Sequence, residues 1–282
     1  MNDNDVLLQV KNLTVTLPGK SGQKVRLLNR LEFDLKAGQI VCLVGRSGSG
    51  KTMTALSLVQ EVPSGAVLTG EVRFHGEDLL RLPQEQRNLI RGKRIFTIFQ
   101  NPMNSFNPSI PMGKQLFSYA RSYGQADKSA FYAEMIRILE KLNISEPALR
   151  LKQYPFQLSG GMLQRMLIGL AIWTRPEVLI ADEPTTALDP GIQKEILQQF
   201  RLIRDSCGTA ILLITHHFGV VAELADHVLV LQDGTIVEQN DVFSLFDRPE
   251  HPYTRALLQA SYGEEVVSDA AGSEEPDENV SQ

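Results

Sequence analysis

Eight consecutive residues, Gly45, Arg46, Ser47, Gly48, Ser49, Gly50, Lys51 and Thr52, fit the pattern G-x-x-x-x-G-K-S/T. Residue types in this order can grip a phosphate chain. Glycines let the backbone curl so that its N–H groups face inward. A helix beginning near Gly50 would add the positive end of its dipole to the same site. Lys51 can reach the β- and γ-phosphates of a nucleoside triphosphate, and the Thr52 hydroxyl can ligate Mg²⁺. A chance glycine-rich turn would need neither a strand before it nor a helix after it, yet the apolar run Ile40–Val44 precedes and a helical stretch, Thr52–Val59, follows.

A second constellation closes the run Val178–Ala181, where Asp182 and Glu183 stand side by side. Carboxylates at the end of a buried strand sit where open α/β sheets bind ligands. Asp182 would hold Mg²⁺, directly or through water, and Glu183 would orient and polarise an attacking water. A positioned general base is worth about 10²–10⁴-fold in rate. The plainer reading is an acidic cap on the turn at Pro184-Thr185. A third stretch, Leu158-Ser159-Gly160-Gly161-Met162, leads into an apolar helix. It reads either as an N-cap serine with a loose turn or as a second anion-binding helix start. One chain with its own phosphate loop and a second such start implies a second nucleotide contact.

The elements that must position these residues alternate between strand and helix. Ile40–Val44, Val178–Ala181, Ala210–Ile214 and Val228–Leu231 are continuous apolar runs, as expected of strands buried on both faces. Short strands are expected at Leu7–Val10 and Leu13–Leu17, a turn at Pro18–Gly22, and a hairpin at Asp233-Gly234 ahead of Thr235–Val237. Phe131–Leu142 has helical spacing, and Met162–Trp173 is apolar all round, which predicts a buried helix. The fold class is therefore α/β with a mainly parallel core sheet, an N-terminal antiparallel β subdomain and a helical subdomain inserted over roughly residues 101–175. Residues 1–262 form the one domain, with a C-terminal segment at 246–262. From Gly263 to Gln282 composition is acidic and poor in apolar residues, which reads as a disordered tail.

The 282 residues carry a net charge of -5, which gives no nucleic-acid signature. Cys42 reads as a core residue and Cys207 lies in a turn-like stretch, so neither a disulfide framework nor a metal cluster is expected, as suits a reducing cytoplasm. The acidic start, Met1–Asp5, lacks the basic and apolar parts of a secretory signal. No apolar run approaches the ~20 residues of a membrane span. The five histidines show no ligand spacing.

Taken together these stretches resemble the ATP-binding subunits of ABC transporters, over roughly residues 5–262. Leu158–Met162 looks like their signature motif, Thr186-Ala187-Leu188-Asp189 like their D-loop, Gln100 like the Q-loop glutamine and His216 like the switch histidine. The resemblance implies MgATP as substrate and cofactor and a head-to-tail dimer. Ser159, Gly160 and Gly161 of one subunit would meet the γ-phosphate held by Lys51 of the other. His216 would touch that phosphate, and Gln100 would sense Mg²⁺ and report to a membrane subunit. Without the other motifs, Gln100 would read as a loop residue and His216 as a strand-end histidine. His217 stands where relatives carry aspartate, and no role is assigned to it. Relatives also stack adenine on an aromatic shortly before the first core strand. Here that stretch is Gln23–Leu27, with no aromatic, leaving Lys24 or Arg26 to pack on the ring.

Arg248–Leu258 and Asn101–Pro108 are similar to segments of the dipeptide, oligopeptide and nickel importer subfamily, and Tyr154–Met166 looks closest to its nickel or metallophore branch. No cysteine follows Cys207, so the iron–sulfur extension of some peptide-transporter relatives is not expected. The resemblance implies two membrane permease subunits, a second ATPase subunit (paralogue or self), an extracytoplasmic solute-binding protein acting indirectly, and a place on the cytoplasmic face of the inner membrane. The competing reading is a non-transport ABC ATPase acting on nucleic acid or the ribosome, which would bring two nucleotide domains or long coiled coils, neither of which is present.

Overall fold

The computed structural model describes residues 6–19, 23–122, 124, 127–185 and 190–271, with backbone alone at Pro190 and at 262–271. The motif residues Thr186–Asp189 and part of the expected turn at Pro18–Gly22 lie outside the described residues.

The chain opens with β1 (Val6–Pro18) and β2 (Lys24–Lys36), then β3 (Ile40–Val44), which feeds through the glycine-rich loop into α1 (Lys51–Leu58). Next come β4 (Val67–Phe74), the short β5 (Glu77–Asp78), α2 (Gln84–Ile90) and β6 (Ile95–Ile98). The following regular elements among the described residues are helical: α3 (Met112–Arg121), α4 (Lys128–Lys141), α5 (Pro147–Arg150) and α6 (Gly160–Thr174). The chain then returns to the sheet through β7 (Val178–Asp182), α7 (Pro190–Cys207), β8 (Ala210–Ile214), α8 (Phe218–Leu224), β9 (His227–Gln232) and β10 (Thr235–Asp241), and ends in α9 (Val242–Asp247) and α10 (Pro252–Ala271). The regular helix α10 runs past the Gly263 boundary set by composition. Glu and Ala, which favour helix, recur between Gly263 and Ala271, so intrinsic propensity supports the extension.

Two sheets result. One is antiparallel, in the order β2-β1-β4-β5. The other is six-stranded, in the order β10-β9-β3-β8-β7-β6, and parallel except for β10 on β9. Every residue of β3, β7 and β8 is buried. Side chains alternate between faces, as the period of a strand requires. Ile40, Cys42, Val44, Ile211 and Leu213 join the helices α3, α4, α6 and α7 in one apolar layer. Val41, Leu43, Leu212 and Ile214 join α1 and the antiparallel sheet in the other. A parallel strand covered on both faces needs such an unbroken apolar run. Cys42 belongs to the first layer, and burial pushes its thiol far up, as expected of an inert core residue.

Register then decides what emerges together. Leu43 pairs with Ile214, and Ile214 with Asp182. The carboxyl ends of β3, β7 and β8 are therefore flush, and the residues that follow them (Gly45, Glu183 and His216) leave the sheet along one edge.

Candidate active site

The phosphate-binding loop is shaped by close backbone packing. A Cβ on Gly45 would strike the Leu231 carbonyl of β9, so no other residue fits there. Gly50 takes φ 109° at the start of α1, a turn that delivers Lys51 and Thr52 to the first helical positions. Behind the loop, the Gly234 N–H donates to the Ser49 carbonyl at 2.8 Å, and the Asn29 N–H to the Gly234 carbonyl at 2.7 Å. The β9–β10 turn thus braces the loop against β2, and Ser49 is buried on that side. Asp233 and Gly234 both have positive φ, 47° and 76°, the geometry of the tight hairpin expected there.

The Lys51 ammonium donates to the Gly45 carbonyl at 2.7 Å and the Arg46 carbonyl at 3.1 Å, so it spans the mouth of the loop. Burial lowers its pKa, and the nearby charges of Glu183 and Asp182 work against that shift.

Asp182 is fully buried at the end of β7, and neither carboxylate oxygen has a well-formed hydrogen bond. Desolvation holds its carboxyl above the usual aspartate range; the Thr52 hydroxyl close by favours the charged form, Glu183 opposes it and Lys51 favours it. A buried, unsatisfied carboxylate beside a hydroxyl is a hard oxygen donor set of the kind that holds Mg²⁺ together with substrate phosphates. Asp182 and Thr52 would hold the ion, and Mg²⁺ when bound neutralises charge on the phosphates.

The same observation yields a stability test. Because folding raises the Asp182 pKa, the folded chain binds that proton more tightly than the unfolded chain. Stability therefore falls as pH rises from the ordinary aspartate value of 3.8 through the raised one. Asp182→Asn removes the buried charge. Without Mg²⁺ it should raise stability at pH 7–8 by about 1–2 kcal/mol, a few degrees in Tm, with the gain vanishing below about pH 4. Calorimetric melts across pH check this. Hydrolysis by the same variant should fall.

Glu183 follows at φ 50°, a conformation sparsely used by non-glycine residues and often found at functional sites. Its N–H bonds the Ile214 carbonyl at 2.9 Å, which ties it to β8. Its side chain is buried, and Oε1 lies 2.6 Å from Nδ1 of His216. An ionised carboxylate can only accept, so Nδ1 carries the hydrogen, and Nε2 is left as the second ring nitrogen. The His217 ring lies against that of His216, with centroids 4.1 Å apart.

These groups meet in one cavity of about 890 Å³, lined by Gly45, Arg46, Ser47, Gly48, Gly50, Lys51 and Thr52 of the loop and by Gln100, Asp182, Glu183 and His216. Its size suits a drug-sized or nucleotide ligand. Ser49 supports the loop from behind. Ser159, Gly160 and Gly161 do not line this cavity. Ser159 caps α6, its hydroxyl accepting from the Met162 N–H at 3.2 Å, and Ser159 and Gly160 face solvent. Lys24 and Arg26 do not line the cavity either; the Arg26 guanidinium bonds Asn29, and Leu27 is the residue of that stretch at the wall. The sequence reading missed Tyr253, whose hydroxyl accepts the Arg46 N–H at 3.1 Å. The one signal in the sequence that points to it is the apolar spacing of Tyr253, Ala256, Leu257 and Ala260, which fits one helix face without showing what that face meets.

A glycine-rich loop between a buried strand and a helix, facing adjacent Asp and Glu at the end of a neighbouring strand, defines a P-loop nucleoside triphosphatase of α/β fold. Residues 28–186 match the family described as ABC transporter. The chain belongs to that family, as an ATP-hydrolysing ATP-binding subunit of its peptide and oligopeptide group. It is 42% identical to the "Probable peptide ABC transporter ATP-binding protein y4tR" of Sinorhizobium fredii over 91% of this chain and 77% of that one. It is 40% identical to the oligopeptide transport ATP-binding protein OppD of Salmonella typhimurium over 91% of this chain and 76% of that one. Its structure is similar to the dimeric structure of MJ0796, a bacterial ABC transporter cassette, with a TM-score of 0.74, 25% identity, and coverage of 83% of this chain and 98% of the other.

Proposed function

We infer that the chain powers import of small peptides through separate permease subunits, working as one half of a head-to-tail ATPase dimer. The convergence of Lys51, Asp182, Glu183, His216 and Gln100 on one cavity carries the catalytic part of this reading. The peptide-transport names of its relatives support the cargo class. In the proposed cycle the loop amides and Lys51 hold the phosphates, and Glu183 takes the proton of the attacking water. His216, oriented through Nδ1 by Glu183, faces the γ-phosphate with its other nitrogen.

The exposed start of α6 is free to close over a partner's nucleotide. A Cβ on Gly160 would meet nothing within 4 Å, so a substitution there leaves the fold intact. Gly160→Asp places a negative charge at an anion-binding helix start. It should leave MgATP binding by the isolated chain unchanged while lowering steady-state ATPase by about tenfold or more. Nucleotide titration beside a phosphate-release assay separates the two effects.

Gln100 is exposed at the end of β6, beside a groove of about 360 Å³ lined by Phe99, Phe106 and Tyr119 with Glu61 and Arg91 at its edge. An apolar floor with a charged rim suits a permease loop. No described helix is long and apolar enough to cross a membrane, so docking of this kind would bring the subunit to the cytoplasmic face. The nickel reading rests on Tyr154–Met166 and on the lack of a cysteine after Cys207. Reconstitution with the permeases and solute-binding protein encoded beside it decides between cargoes: peptide-stimulated ATPase and uptake support this reading, and stimulation by nickel chelates alone overturns the peptide assignment. A non-transport role would show instead as copurification with ribosomes or nucleic acid.

A further inference from the structure

The C-terminal helix lies against the catalytic cavity. The start of α10 is clamped. The Glu238 carboxylate accepts from the Glu250 and His251 N–H groups at 2.8 and 2.9 Å, and His251 Nδ1 accepts from the Tyr253 N–H at 3.2 Å. Thr254 and Leu258, one turn apart, are buried and fix one face of the helix in the core. The face carrying Tyr253, Ala256, Leu257 and Ala260 is then turned to the cavity, which Leu27 also lines. Phe218 and Tyr253 are the only Phe, Tyr or Trp residues among the described residues lining it.

This wall has no charge, while Lys51 and the loop amides charge another part of the same cavity. A triphosphate belongs at the charged part, and an uncharged, flat heterocycle with its sugar belongs against methyl groups and a phenol. The Tyr253 hydroxyl accepts from the Arg46 N–H, so its own proton remains to be donated into the site. We propose that α10 is the nucleoside-holding wall of the ATP site, with Tyr253, anchored on the phosphate loop, as a positioning residue for base and ribose. The proposal rests on the ATP-site reading and assigns recognition of the nucleoside to a segment 207 residues away in sequence from the loop it touches.

The test compares two probes on the full chain by calorimetric titration, MgATP and magnesium tripolyphosphate, which has no nucleoside. Tyr253→Ala should weaken MgATP by about tenfold or more, the scale of base–aromatic contact, and change tripolyphosphate by less than about threefold. Tyr253→Phe should recover most of the MgATP loss. Should Tyr253→Ala fail to fold, Ala256→Trp, at an exposed position on the same face, fills the wall and should discriminate between the probes in the same way. Equal weakening of both probes would make α10 a mere buttress of the phosphate loop and overturn the proposal, as would no change in either. Wild-type protein binding tripolyphosphate as tightly as MgATP also overturns it. Wild-type protein binding neither probe would instead count against the ATP site itself.

Discussion

Glu183→Gln should bind MgATP with near wild-type affinity and hydrolyse it at least about 10²-fold more slowly, the scale expected for loss of a positioned general base. The substitution keeps the shape of the side chain, its φ of 50° and the backbone bond to Ile214, so loop and sheet edge stay in place. It removes the negative charge and the ability to accept a proton from water. It also replaces an obligate acceptor 2.6 Å from His216 Nδ1 with an amide that can present either oxygen or nitrogen, which loosens the imidazole as well. Binding survives because the groups that grip the phosphates lie in the loop after β3 and at the start of α1. With hydrolysis blocked, an ATP-bound dimer should accumulate, visible by size exclusion or scattering. Wild-type turnover in this variant would show that the proton goes elsewhere.

Lys51→Ala should lose MgATP binding itself, by roughly 10²-fold or more, since charge-assisted hydrogen bonds to phosphate are each worth about 1.5–3 kcal/mol. The ammonium has a second effect. Its charge favours the ionised form of Asp182, against the burial that disfavours it. Removing it leaves the Asp182 carboxyl harder to ionise, so apparent Mg²⁺ affinity should fall and its pH dependence move upward. Titration of MgATP and of Mg²⁺ at fixed nucleotide, at pH 6.5 and 8.0, reads both effects. The fold should persist, because the two bonds lost run from Lys51 to carbonyls of its own loop. Retained affinity with lost turnover would mean that Lys51 acts only in the transition state.

Much of this site was legible in the residues. The loop pattern, Asp182-Glu183 after an apolar run, and the apolar runs of β3, β7, β8 and β9 are local, because a strand buried on both faces must be apolar throughout and a phosphate loop must be glycine-rich. Less legible were β2, in which charged Lys24, Arg26, Arg30, Glu32 and Asp34 interrupt the apolar pattern, and the four-residue β6. Their strand identity comes from partners: β1 for β2, and β7 for β6. The composition of Gln23–Leu27 offers Lys24 or Arg26 to the base, whereas it is Leu27 that the structure leaves at the cavity.

The amino-acid order by itself determined the chemistry available: a phosphate-gripping loop, a strand-end carboxylate pair and a serine-capped, glycine-led helix, each defined by neighbours within a few residues. Tertiary structure decided which of these share a cavity. The register of β3, β8 and β7 brings Lys51, Glu183 and His216 to one edge, while the start of α6 is left facing solvent and Tyr253 is carried onto the loop. Such meetings depend on packing between segments far apart in the chain, and side-chain pattern within any one segment does not encode its distant partner.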